Sequence, residues 1–97
     1  MVLIYNLRCG EDLVFKHEGK VTRLSLLEKN VDWALFSLQN GSKPELLDID
    51  YRTHYQIDGL PQTDFYPKVS LKTKNNKVDI WVSVPPFVRV HVERDRK

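Results

Sequence analysis

The chain has 97 residues, 41% of them hydrophobic and 29% charged, with a net charge of +2. That length gives one domain with a small core, and the composition excludes long disorder, a collagen repeat and a disulfide scaffold. The lone Cys9 cannot close an internal disulfide, and no apolar run approaches the ~20 residues of a membrane helix, so a cytoplasmic protein without membrane association is expected.

Val2 to Arg8 forms a candidate strand whose apolar start, with no basic leader, is not expected to be a signal peptide. Gly10 breaks it, and Asp12 to Lys16 makes a second strand, followed by a turn at His17-Glu18-Gly19-Lys20. The stretch 21–40 carries two patterns. Ser25-Leu26-Leu27-Glu28 fits a capping box, and Leu24, Leu27, Val31, Leu35 and Leu38 fall at helical spacing before Asn40-Gly41. Thr22, Leu24 and Leu26, then Val31, Trp33 and Leu35, also alternate about a turn at Glu28-Lys29-Asn30. Local signals lean towards one inserted helix around 25–40. An internal comparison leans towards a hairpin: Lys20-Val21-Thr22 resembles Lys68-Val69-Ser70, and Val31-Asp32-Trp33 resembles Val78-Asp79-Ile80.

Glu45 to Tyr55 reads as an edge strand or a short helix begun at Pro44, and Asp58 to Pro67 as loop. Beyond it, three period-two runs predict an antiparallel meander: Lys68 to Lys74, Val78 to Val84 after an Asn75-Asn76 turn, and Val88 to Val92 after Pro85-Pro86. Val78, Ile80, Val82, Val84, Val88, Val90 and Val92 are its expected buried side. The fold class is mainly β, a small antiparallel sheet or barrel-like meander, with the helix around 25–40 left open. The single domain 1–97 divides into N-terminal strands (1–19), an insertion or first-repeat hairpin plus loop (20–66), the meander (67–93) and a basic tail (94–97).

Residues 1–67 hold seven Lys/Arg and ten Asp/Glu, a balance of −3, whereas 68–97 hold eight and three, a balance of +5. A basic third of a small domain can act as a footprint for a polyanion. On the outward side of the meander Lys68, Lys72 and Lys74 neighbour Trp81, with Arg89 and His91 on the last run. Cations around an exposed indole suit single-stranded nucleic acid: charge for phosphates and a flat ring for a base. The sequence has no phosphate-binding glycine loop, nucleophile motif or zinc spacing, so no catalytic residue, metal or cofactor is expected. Asp48, Asp50 and His54 make only a chance-level metal set, and His17 stands alone.

The run Asn76 to Glu93 resembles the carbon storage regulator (CsrA/RsmA) family, whose pattern is matched by Asn76, Val78, Ile80, Val82, Pro85, Val88, Val90, His91 and Glu93. Leu3 to Glu11 is similar to the family's opening, with Arg8, Gly10 and Glu11 matching. The family is shorter, so the piece 20–66 is either an insertion or part of a degenerate duplication, with copies 1–47 and 48–97. The resemblance implies a non-enzymatic β-protein that binds loops of messenger RNA as an intertwined homodimer and regulates translation. Of the family's RNA-contacting arginines only Arg8 is present, since the others fall on Leu7 and Val92, and a family glycine is Trp81. Expected RNA-binding residues are Arg8, Lys68, Lys72, Lys74, Trp81, Arg89 and His91, and the partner is single-stranded or hairpin-loop RNA. The alternative is a protein-interaction module on the same scaffold, an inhibitor or adaptor of phage or mobile-element type. A duplicated chain would pair its own edges and remain a monomer, whereas an inserted helix would leave them open to a dimer; because the repeat is weak, a homodimer is expected.

Overall fold

The structure, a computed structural model, describes residues 2–41, 43–69 and 77–94. Among them are nine β-strands and no helix. The strands are β1 (Val2–Arg8), β2 (Asp12–His17), β3 (Lys20–Lys29), β4 (Trp33–Asn40), β5 (Pro44–Asp50), β6 (Tyr55–Gln56), β7 (Asp64–Val69), β8 (Lys77–Ser83) and β9 (Arg89–Glu93). They make two antiparallel sheets, one ordered β1-β8-β7-β6 and the other β5-β4-β3-β2-β9.

The helix expected around 25–40 is a hairpin. Thr22, Leu24 and Leu26 of β3 and Ala34, Phe36 and Leu38 of β4 are all buried. A helical stripe would instead have had to bury Leu27 and Val31, which are 44% and 87% exposed. Period two wins because it takes more apolar surface out of water. Ser25 caps nothing; its hydroxyl donates to Asp12 at 2.6 Å. The expected strand phase Val31, Trp33, Leu35 is off by one residue, because the turn lies at Asn30–Asp32, where the Asn30 amide donates to the Trp33 carbonyl.

Two further expectations change. Residues 64–67, read as loop, belong to β7. The N–H that Pro67 lacks points away from the β8 ladder, beyond the end of β6, and on that side its carbonyl accepts the Arg52 amide at 2.8 Å. The three-run meander also breaks after its second strand. Pro85-Pro86 carries the chain across to the other sheet, where β9 pairs with β2. Val78, Ile80, Val82, Val84 and Val88 are buried, but Val90 and Val92, on an edge strand, are only half-buried. The Asn75-Asn76 turn lies outside the described residues.

The two sheets enclose one core, joined across the middle by Phe36 and Phe65 edge to face, with ring centroids 5.6 Å apart. The pairing pattern has an internal two-fold logic. Exchanging β1 with β5, β2 with β6, β3 with β7 and β4 with β8 turns β1-β8-β7-β6 into β5-β4-β3-β2. Each half thus lends its first strand to the other half's sheet, and β9 alone has no counterpart. The sequence repeat matched the right elements in the wrong register, since Val31 is exposed in a turn and Val78 is buried in β8.

Replacing Phe36 by Ala removes the main inter-sheet ring and is expected to cost about 3–5 kcal/mol. Leu46→Ala, on a 67% exposed side chain, should stay within about 0.5 kcal/mol. Urea midpoints measure both, and equal midpoints would show that the sheets do not depend on this contact.

Candidate nucleic-acid interface

Side chains opposite one another across paired strands share a face, so the registers lay out the outer surface of the four-stranded sheet as rungs. One rung is Val2, Ser83 and Asp64. The next is Ile4, Trp81 and Tyr66, followed by Asn6, Asp79 and Lys68, and then Arg8 opposite Lys77. The Tyr66 and Trp81 rings stack at 5.8 Å and 18°, and His54 lies against Tyr66 at 4.4 Å. Ile4, 55% exposed, extends this aromatic row over the β1 edge. A groove of about 360 Å³ runs beside it, between His54, Asp64 and the Val2 end of the row. The Trp81 indole N–H is buried and has no hydrogen-bond partner among the described residues.

Cations gather at the other end of the row. The Lys68 ammonium sits 5.2 Å from the Trp81 ring centroid, a cation–π contact. Asp79 accepts a hydrogen bond from Asn6 at 2.6 Å. Arg8, Lys68 and Lys77 have no ion pair among the described residues. Among the described residues, three cations without an ion pair thus lie, with Asp79 between them, on the rungs beside the flat rings.

Of the residues expected from sequence, Arg8, Lys68 and Trp81 come together here. Lys72 and Lys74 lie outside the described residues. Arg89 and His91 do not belong to this face, because β9 joins the five-stranded sheet. Sequence reasoning missed Tyr66, His54 and Ile4, whereas Lys77 belongs to the basic run 68–77 from which phosphate contacts are expected. Tyr66 is in phase with Lys68, two residues on, but Pro67 between them had marked the segment as loop. Asp48 and Asp50 lie on β5, in the other sheet from the face where His54 rests against Tyr66.

His91 has a structural setting. Arg23 pairs with both Asp12, at 3.3 Å, and Glu93, while His91 approaches Glu93 at 3.3 Å. Beneath these groups Val14 is fully buried although it sits outside the central core. The Arg23 guanidinium, then His91, hold the Glu93 carboxyl below its ordinary pKa.

Arg8 is positioned by the corner between β1 and β2. The Arg8 amide donates to the Glu11 carboxylate at 2.8 Å, the Glu11 amide to the Arg8 carbonyl at 3.1 Å, and Arg94 pairs with Glu11 at 2.7 Å. Burial alone would raise the Glu11 pKa, but the Arg8 amide and the Arg94 guanidinium outweigh it, and the net shift is downward. A carboxyl with a depressed folded-state pKa adds stability that is complete above its unfolded pKa and is lost as pH falls through the folded value. Glu11→Gln should therefore cost about 1–3 kcal/mol at neutral pH and lessen the further loss on acidification. Urea denaturation at neutral and acid pH checks this; equal acid sensitivity in both proteins would contradict it.

Compared with family models, with curated proteins and with solved structures, the chain matches none.

Proposed function

We propose that the protein is a non-enzymatic RNA-binding regulator of translation, which holds single-stranded or loop RNA on the outer face of the four-stranded sheet. The observation that carries this is the row Ile4–Trp81–Tyr66–His54 with Arg8, Lys68 and Lys77 on the same face, none of which has an ion pair among the described residues. Flat rings take unstacked bases of any sequence, and cations take the phosphates between them. Unstacked bases belong to single strands and loops, not to a duplex. Lys68 is long enough to swing from the indole to a phosphate.

The topology supports the duplication branch of the resemblance to carbon storage regulators. Two halves that exchange their first strands are what a fused, intertwined pair would give, with the second half beginning at β5. The strand exchange that the family makes between two chains is then made within one, and the protein acts as a monomer of 11.4 kDa. Arg8, the one matching arginine, lies on the same face, two rungs from the aromatic row.

A second reading, a protein-interaction module, draws on the five-stranded sheet. The outer face of β4 and β5 carries Trp33, Leu35 and Leu46 among Asp48, Asp50 and, across from Leu35, Glu28. That acidic, apolar face suits a basic protein partner.

Fluorescence anisotropy with labelled single-stranded RNA tests the first reading. Trp81→Ala should weaken binding at every salt concentration by roughly 1–3 kcal/mol, the contribution of one stacked base. Lys68→Ala should instead lower the slope of log K against log salt by about 0.7. Salt-independent binding, or none at ~50 mM salt, would move the function to the acidic face. Asp48→Lys with Asp50→Lys should then abolish capture of a basic partner.

A further inference from the structure

Arg89, displaced from the aromatic row, stands in a second cationic cluster. The outer face of β9, β2 and β3 also forms rungs: Glu93–Asp12–Ser25, His91–Val14–Arg23 and Arg89–Lys16–Val21. In the first two, Asp12 and Glu93 are engaged by Arg23 and His91. The third sets Arg89 directly opposite Lys16, and like charges so placed destabilise a strand pair. Neither has an ion pair among the described residues, and neither has Lys20 at the end of the adjoining turn. An anion would relieve that repulsion.

The three cations line a concavity of about 380 Å³ that Val21 and Phe87 share. Phe87 is 60% exposed, held on the turn where the Val88 amide donates to the Pro85 carbonyl at 3.1 Å. Its ring lies 5.4 Å from that of His17. The lining carboxylate, Glu18, is turned to His17 at 3.6 Å. Glu18 and Gly19 both have positive φ, 51° and 76°, which makes the β2–β3 turn tight and pairs Lys20 with His17 at the rim of the concavity.

We propose that this concavity is a nucleotide-binding site in which Lys16, Lys20 and Arg89 hold a phosphate and Phe87 stacks a base. Its volume is at the size of small-ligand pockets, about 300–1,000 Å³. The nucleotide is either free or one unit of the RNA strand bound by the aromatic row, and that second source rests on the function proposed above. The connection is short: Phe87 is the fourth residue after Ser83, which lies on the rung next to the row, a span of at most about 14 Å. A strand leaving the row past Ser83 would round the Pro85-Pro86 crossover and enter the site.

The test uses adenosine 5′-monophosphate, and single-stranded RNAs of about 4 and 12 nucleotides, within the range of single-domain site sizes. Adenosine monophosphate should shift the amide resonances of Gly19, Lys20 and Phe87, and Arg89→Ala should abolish those shifts. Phe87→Ala, on an exposed ring, should weaken the longer RNA roughly fivefold or more and leave the shorter one unchanged, whereas Trp81→Ala weakens both. Nucleotide shifts with an unaffected longer RNA support the site and assign it to free nucleotides. No shifts and an unaffected longer RNA overturn the site, even while the Trp81-dependent short RNA still supports the aromatic row. Nucleotide shifts in a protein that binds neither RNA support the site and overturn the row.

Discussion

The corner between β1 and β2 decides which sheet each end of the chain joins. A hairpin there would place β1 beside β2. Instead Gly10 adopts a φ of 95°, its amide donates to the Leu26 carbonyl, and the Leu26 amide returns to the Glu11 carbonyl. The corner is thereby tied to β3, and the chain passes from one sheet to the other between Arg8 and Asp12. Few residues other than glycine adopt such a φ without strain. The Glu11 carboxylate then holds both the Arg8 amide and Arg94, so the end of β1 and the last described residue meet at one buried charge. With β1 turned away, the outer edge of β2 is free for β9, and β8 becomes the partner of β1.

The strands themselves could be read from alternation, because burial on one face leaves a period of two whichever sheet a strand enters. Sheet membership could not. The runs 78–84 and 88–92 look alike in sequence, and only the length and stiffness of Pro85-Pro86 separate a return turn from a crossover. Arg89 and His91 were assigned to the wrong face for that one reason. The capping box at Ser25 was a real local preference overridden by tertiary burial, since Phe36 and Leu38 have a second sheet to pack against. Tyr66 was hidden by Pro67, which is tolerated in β7 because β6 ends before reaching it.

The internal two-fold relation also compares the two outer faces. Laying the seven-residue β1 on the seven-residue β5 puts Arg8 on Asp50, Asn6 on Asp48 and Ile4 on Leu46; the facing strands put Trp81 on Ser37, and the strands beyond them put Lys68 on Glu28. The frame is shared while the charge is reversed. One face carries stacked rings and cations; the other, at the matching positions, carries carboxylates and apolar side chains, Trp33 among them. A net charge of +2 is the residue of two opposed surfaces, which is why composition alone says so little about partners.

Exchanging first strands has a cost in time. Val2 pairs with Ser83, so β1 has no sheet to join until β8 exists. At about 5–20 residues per second, the ribosome leaves β1 waiting roughly 4–14 s before residue 77 is made. Through that interval Leu3, Tyr5 and Leu7 are apolar with nothing to cover them, beside the still more open Val2 and Ile4. β2, β3 and β4 can meanwhile zip together as neighbours. The first strand of this domain to be synthesised is therefore among the last to be placed, and the nascent chain, rather than the finished protein, is the species most in need of a chaperone.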